Sequence, residues 1–231
     1  MQGRRLVITG GFGVLGRATA QAAVAKGARV ALVDFAPEAP AGLKAALGEG
    51  AVFIAGSDLS DPARAQAAIG EAAVALGGID ALLNIAGGFV WQTLQDGDPA
   101  GWERMFRLNL ATCANASRAA LPHLIASGSG RIVNIGANAA MKAAAGMGAY
   151  AAAKAGVHKL TESLAEELKG RVTVNAVLPS IIDTPQNRAD MPDADPSTWV
   201  SPGDLAAVLL FLASEDASAV TGALLPVTGT L

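Results

Sequence analysis

Tyr150 and Lys154 lie four residues apart in AYAAAKAGVHKLTESLAEEL, a segment whose Ala, Leu, Glu and Lys content favours helix. At that spacing two side chains project from one helix face. A positive charge beside a phenol favours phenolate, which brings a group with an ordinary pKa of about 10 toward working pH as a proton donor or acceptor. Taken alone, the pair reads more readily as a solvated lysine beside a buried tyrosine. Its position argues for chemistry. It follows a strand-like run at residues 131–135 (RIVNI) and a small-residue loop, in a chain that opens with a glycine-rich turn.

That turn, residues 9–16 (TGGFGVLG), joins an apolar run at 6–9 to a helical pattern that ends at Lys26 and is stopped by Gly27. Residues 29–34 (RVALVD) then form a second strand, which completes a βαβ unit. Gly10, Gly13 and Gly16, with Leu15 among them, have the mechanical properties that a dinucleotide needs. Without Cβ atoms the turn tightens, backbone N–H groups reach a pyrophosphate, and a helix N-terminus points at it. Asp34 closes the next strand. Its carboxylate suits the two ribose hydroxyls of the adenosine half and repels a 2′-phosphate, so the expected cofactor is NAD, with NADH preferred over NADPH. The plainer reading of Asp34 is an ordinary strand-end acid in a turn.

Further strands are expected at 51–55 (AVFIA), 81–85 (ALLNI), 131–135, 172–178 (VTVNAVL) and 223–227 (ALLPV). Helices are expected at 39–47, from Asp61 onward, from Pro99 to about Ile125, at 148–168, and from the Ser201 cap to about Leu212. Alternating strands and helices predict a single-domain α/β fold over residues 1–231, a Rossmann-type doubly wound parallel sheet of about seven strands. The polar, Pro-rich segment 180–200 is too long for an ordinary connection and reads as a lid or substrate loop. Asp58 and Leu59 follow the third strand, and Ala86 and Gly87 follow the fourth; the small residues there suit backbone contacts to a cofactor. A helix-start acid is the alternative for Asp58, and a hydrogen-bonded structural amide is the readier reading of Asn109.

Composition excludes several classes. A formal charge of -3 with no basic run provides no phosphate footprint, so no nucleic-acid partner is expected. The only cysteine, Cys113, cannot form an internal disulfide, which suits a reducing, cytoplasmic setting. Two histidines, His123 and His158, make a metal site unexpected. No apolar stretch approaches the roughly 20 residues of a membrane span, and the chain enters a core strand at once, so a soluble, uncleaved protein is expected. Aromatic residues are few in a chain that is 52% hydrophobic, which predicts a core of Ala, Val, Leu and Gly with close-packed elements.

The glycine turn, Asp58, Asn84-Ile85-Ala86-Gly87, Asn109, Tyr150 and Lys154 in this order resemble the short-chain dehydrogenase/reductase family over the whole chain. That resemblance implies Tyr150 as proton donor or acceptor, and Lys154 as the group that lowers its pKa and holds the nicotinamide ribose. It implies that Asn109 completes a proton relay through water and that Asp58 contacts the adenine. It also places Ala86 and Gly87 near the ribose, and Pro179, Ile182 and Thr184 beside the nicotinamide. A homodimer or homotetramer is the expected assembly.

Three departures stand out. Val14 occupies a position where the family has glycine, and Ile85 replaces the second Asn of its NNAG turn. More consequentially, the family's serine, 13 residues before the tyrosine, is Ala137 here, flanked by Gly136 and Asn138. Loss of one oxyanion donor typically costs roughly 3 to 4 kcal/mol of transition-state stabilisation. The C-terminal half, with residues 182–199 (IDTPQNRADMPDADPSTW) and the turn at Ala86, is similar to dihydropteridine reductase, a family member that also lacks the serine. A quinonoid dihydropterin gains aromatic character on accepting hydride and needs less electrophilic help than a ketone. Phe89, Trp91 and Trp199 are candidate walls for a flat substrate, and Asn187 and Arg188 candidate polar contacts. The expected function is therefore NADH-dependent reduction of a pterin-like or similarly activated acceptor. The alternatives are a general carbonyl or alcohol oxidoreductase that uses Asn138 or water, and a silent NAD-binding module.

Overall fold

Parallel strands covered on both faces tolerate apolar side chains throughout, and the short apolar runs of this chain become such strands. In the computed structural model, which describes residues 1–229, β1 (Arg5–Thr9), β2 (Arg29–Val33), β3 (Val52–Ile54), β4 (Ala81–Asn84), β5 (Gly130–Ile135), β6 (Val172–Pro179) and β7 (Leu224–Val227) form one sheet. Every pairing is parallel, in the order β3-β2-β1-β4-β5-β6-β7. The order reverses between β1 and β4, and their carboxyl ends flank the crevice where open α/β sheets bind ligands.

The main helices are α1 (Val14–Ala25), α2 (Leu43–Leu47), α3 (Pro62–Leu76), α4 (Ala100–Met105), α5 (Thr112–Ala126), α6 (Gly148–Glu167), α7 (Pro185–Asp190) and α8 (Pro202–Leu212). They cover both faces of the sheet. On one face Leu15 and Ala20 of α1 and Leu205 and Leu209 of α8 pack on Leu6, Ile8 and Leu32. On the other, Ile69, Ala116, Leu124 and Leu164 pack on Val7, Leu82 and Ile132. Alanine is frequent at these contacts, which lets helix and sheet approach closely, as the composition predicts.

All seven expected strands form, with ends shifted by a residue or two. The helices differ in three places. The expected helix at 39–47 shortens to α2, because Gly42 adopts a left-handed conformation immediately before it. The long helix from Pro99 is divided by a π-helical turn, Phe106–Ala111. Within the polar 180–200 segment the Thr184 side chain caps α7, with Pro185 in its first turn.

Candidate active site

Backbone crowding forms the part of the crevice at β1. A Cβ on Gly16 would lie 2.2 Å from the Gly10 carbonyl oxygen, and one on Gly10 would lie 2.9 Å from the backbone of Ala86. Gly10 has φ +63°, a left-handed conformation that costs glycine little. Gly13 is less constrained, since its nearest contact would be 3.4 Å away. Gly11, which sequence reasoning left without a role, is pressed against Leu32, whose Cβ an added methyl would meet at 2.6 Å. Val14 begins α1 and none of the described non-glycine residues has positive φ, so this departure strains nothing. Thr9 ties the two sides of the crevice together, because its Oγ1 accepts from both Ile85 N (3.1 Å) and Ala86 N (3.2 Å). Sequence reasoning missed that role, although a threonine at a strand end before a glycine turn was a visible signal. Ile85 packs against the core, which accounts for its apolar side chain.

Asp34 lies at the end of β2, where one carboxylate oxygen accepts from Phe12 N (2.9 Å) and the other from Ala36 N (3.0 Å). It thus fixes the glycine turn and keeps lone pairs for a further donor. Asp58 accepts from the backbone and hydroxyl of Ser60, and this bonding holds its carboxyl below the usual range. It is not the helix-start acid, because Asp61 caps α3. Leu59 is buried, and its carbonyl accepts from Asn115 of α5.

Tyr150 and Lys154 are on α6, one turn apart, as the spacing predicts. Lys154 is buried, with Nζ donating to the Ile135 carbonyl at 2.8 Å. Nζ lies 6.0 Å from the Tyr150 ring centroid. The expectation that this charge pulls the phenol pKa down needs correction. Burial dominates, and it pushes Tyr150 up to about 12 and Lys154 down to about 8. The phenol is therefore neutral at ordinary pH. Phe89 meets the Tyr150 ring edge-on, with centroids 5.0 Å apart.

Asn109 sits in the π-helical turn and is buried. Its Oδ1 accepts from Gly88 N at 3.2 Å, and its Nδ2 faces the carbonyls of Gly88 (3.0 Å) and Met105 (3.1 Å). The side chain therefore fixes the loop after β4, as the structural reading anticipates. A Cβ on Gly87 would lie 2.7 Å from Asn109 Oδ1 and 3.3 Å from Lys154 Nζ, so only glycine allows these groups to converge there.

The 180–200 segment is closed at its base, where Asp183 N donates to Val200 O and Val200 N to Ile181 O. Pro179 ends β6, Ile182 bridges to Val200, and Thr184 Oγ1 accepts from Asn187 N. Asn187 donates to Ile182 O, and Arg188 pairs with Asp183 through two bonds of 2.6 and 2.8 Å. These two polar groups thus serve the segment's own structure. Trp199 is buried and belongs to its packing, whereas Phe89 and Trp91 are half exposed. Trp91 Nε1 donates to the Ala145 carbonyl at 3.0 Å. Ala137 is buried directly after β5, and Asn138 is exposed and opens a short 3₁₀ turn.

Comparison with known proteins agrees with this geometry. Residues 4–195 match the short chain dehydrogenase family. The chain is 33% identical to 2-(S)-hydroxypropyl-CoM dehydrogenase 3 of Xanthobacter autotrophicus, over 97% of this chain and 94% of that one. It is 35% identical to meso-2,3-butanediol dehydrogenase of Serratia marcescens, over 97% and 92%. Among solved structures, levodione reductase superposes with a TM-score of 0.90 at 30% identity, covering 99% of this chain and 97% of that one. Carveol dehydrogenase from Mycobacterium avium, in complex with NAD, superposes with a TM-score of 0.86 at 26% identity, covering 98% and 96%.

Proposed function

The chain belongs to the short-chain dehydrogenase family and is an NAD(P)-dependent oxidoreductase, and from that premise we propose that it interconverts a carbonyl compound and its secondary alcohol, with NADH preferred over NADPH. The observation that carries the reading is Tyr150, a partly buried phenol one turn of α6 from the buried Lys154, whose Nζ is fixed on the carbonyl that ends β5. The relatives named above are dehydrogenases and reductases of alcohols and ketones by their names, which favours the carbonyl reading over the pterin one.

The crevice fits a dinucleotide. Gly10 and Gly16 keep it free of side chains, α1 begins without a side-chain cap for its orphan N–H groups, and Asp34 presents its carboxylate beside the turn. Gly10, Gly13, Leu15 and Gly16 would hold the pyrophosphate and Asp34 the adenosine ribose. Asp58 and Leu59 would border the adenine, Ala86 and Gly87 the ribose, and Pro179, Ile182 and Thr184 the nicotinamide. When bound, the cofactor supplies hydride in reduction and accepts it in oxidation. Tyr150 donates its hydroxyl proton to the substrate oxygen in reduction and removes the alcohol proton in oxidation. Lys154 holds its charge beneath the site, and Asn109 fixes the loop over it. Oxidation needs the phenol proton removed, so alcohol turnover rises with pH while Lys154, held down to about 8 by burial, keeps its charge, whereas the neutral phenol serves reduction throughout the ordinary range.

Ala137 sets the substrate bias. With no hydroxyl there, acceptors that are already electron-poor are reduced faster than simple ketones. A second reading, a quinonoid pterin-like acceptor, is favoured by the half-exposed Phe89, whose ring meets the Tyr150 phenol edge-on. NADH oxidation rates with quinonoid dihydropterin, a vicinal diketone and a simple ketone distinguish these readings. Ala137→Ser should raise simple-ketone turnover by up to about a hundredfold, the equivalent of one oxyanion donor. A rapid wild-type rate on simple ketones that the serine leaves unchanged would sink the bias, and tight NADH binding without turnover of any acceptor would point to a silent module. A cytoplasmic homodimer or homotetramer through α4, α5 and α6 belongs to the same proposal, supported by the exposed Trp102 and Phe106. Light scattering at micromolar concentration tests the assembly.

A further inference from the structure

His158 is the second histidine of a chain that offers no reason, in sequence, for having one inside. It lies one turn beyond Lys154 on α6 and is 4% exposed, so its imidazole must be satisfied by protein. Its Nε2 accepts from the Ala137 backbone N–H at 3.3 Å. One turn earlier, Lys154 donates to the Ile135 carbonyl. Between these two points Gly136 donates its N–H to Val177 of β6. A Cβ on Gly136 would lie 2.6 Å from His158 Nε2 and 2.8 Å from Cδ2, so the imidazole fills the space that a side chain at 136 would take.

Consecutive turns of α6 therefore hold alternate groups of the exit from β5, one with a donor and one with an acceptor. We infer that His158 is a positioning residue, whose neutral imidazole, with its proton on Nδ1, anchors Ala137 and thereby the wall of the site that in this chain carries no hydroxyl. An imidazolium has no acceptor, so protonation of His158 breaks the anchor and adds a charge close to Lys154. The charged groups that act on the ring are Lys154, Lys159 and Glu162, all of α6, while the β5 exit and Leu178 of β6 bring it no ionisable group. Burial and the two lysines favour the neutral ring.

The inference rests on the oxidoreductase reading for its kinetic arm but has an arm of its own. In His158→Leu, which fills the space without an acceptor, kcat should fall about tenfold, the scale of a small misplacement of a catalytic wall, with NADH affinity retained. His158→Gln carries an acceptor at similar reach and should recover most of that loss at pH 8. Wild-type kcat/KM should decline only at a pH below the ordinary imidazole range, since burial and the lysines favour the neutral ring, and that acid limb should vanish in His158→Gln, which cannot titrate. Wild-type kinetics in His158→Leu, or an unchanged acid limb in His158→Gln, would overturn the assignment. Nitrogen NMR of the labelled full-length protein tests the same geometry without any turnover. An Nδ1–H tautomer with an unprotonated, hydrogen-bonded Nε2 supports it, and an Nε2–H tautomer overturns it even if the enzyme proves inactive on every acceptor.

Discussion

The two halves of the crevice are built by different means. On the β1–β2 side the walls are backbone: glycines in contact with carbonyls, Thr9 bridging two loops, and Asp34 bonded to two amides. On the other side they are side chains: the phenol of α6, Phe89 and Trp91 of the loop after β4, and a segment after β6 closed mainly by its own hydrogen bonds. The backbone-built half has little freedom to change and suits a constant ligand. The side-chain half can be altered residue by residue without disturbing the sheet, and Ala137 shows such a change at its centre.

Removing the phenol should separate the halves most sharply. Tyr150→Phe should lower kcat by roughly 10²–10⁴, the scale of general acid–base catalysis, and leave NADH affinity within about twofold. Steady-state rates and a fluorescence titration of NADH provide the two numbers. Equal losses in both would mean that the halves are not independent.

The next effect acts on the backbone half. In Gly16→Ala the new methyl meets the Gly10 carbonyl and the Gly11 Cα, neither of which can swing away, so stability should fall by roughly 1–3 kcal/mol and NADH binding should weaken with it. Gly13→Ala meets only ordinary contact and should cost less than about 1 kcal/mol. Thermal melts of the pair decide the point. If both variants lose the same stability, crowding is not what selects glycine in this turn.

These contrasts also explain what the sequence disclosed. Strand runs, the glycine turn and the Tyr150–Lys154 spacing are local patterns, and each appears where it was expected. Asn109 was identified as a structural amide but without its partner, because Gly88 is 21 residues away and the π-helical turn that aims the side chain has no periodic signature. The phenol pKa is not legible in the spacing, because burial sets it and the helical period reports which face a lysine shares but not how deeply a phenol is covered. His158 and Gly136 are complementary only across elements, so neither residue signals the other. Trp199 was legible as an aromatic in a loop and illegible as a buried one, since the closure of 180–200 depends on the Ile182–Val200 bridge.

A smaller effect concerns cofactor choice. Asp34→Ser removes the charge that a 2′-phosphate would meet, and it should shift the ratio of NADPH to NADH affinities by about tenfold in favour of NADPH, equivalent to about 1.4 kcal/mol. Competitive titration of the two reduced cofactors measures it. An unchanged ratio would leave Asp34 as a brace for Phe12 and Ala36 alone.

The smallest expected effect tests whether the side-chain half is as separable as its construction implies. Trp91 lies across Gly146, where an added Cβ would come within 2.2 Å of the ring, and its indole donates to the neighbouring Ala145 carbonyl. The same two loops are also joined by Gln92 N donating to Gly146 O at 2.9 Å, so the backbone link survives loss of the indole. Trp91→Phe keeps an aromatic face and deletes one partly solvated hydrogen bond, which should cost about 0.5–1 kcal/mol, or 1–4 °C in Tm for a chain of this size. The consequence should appear in the acceptor's KM, because Trp91 is exposed and braces the loop at Ala145 and Gly146 that leads into α6 and Tyr150. NADH affinity should not move, since the indole bonds the loop at Ala145 and the glycine turn is held by its own backbone contacts. A fall in NADH affinity as large as the rise in acceptor KM would show that the two halves are mechanically coupled, and the contrast between backbone-built and side-chain-built walls would then describe their construction but not their behaviour.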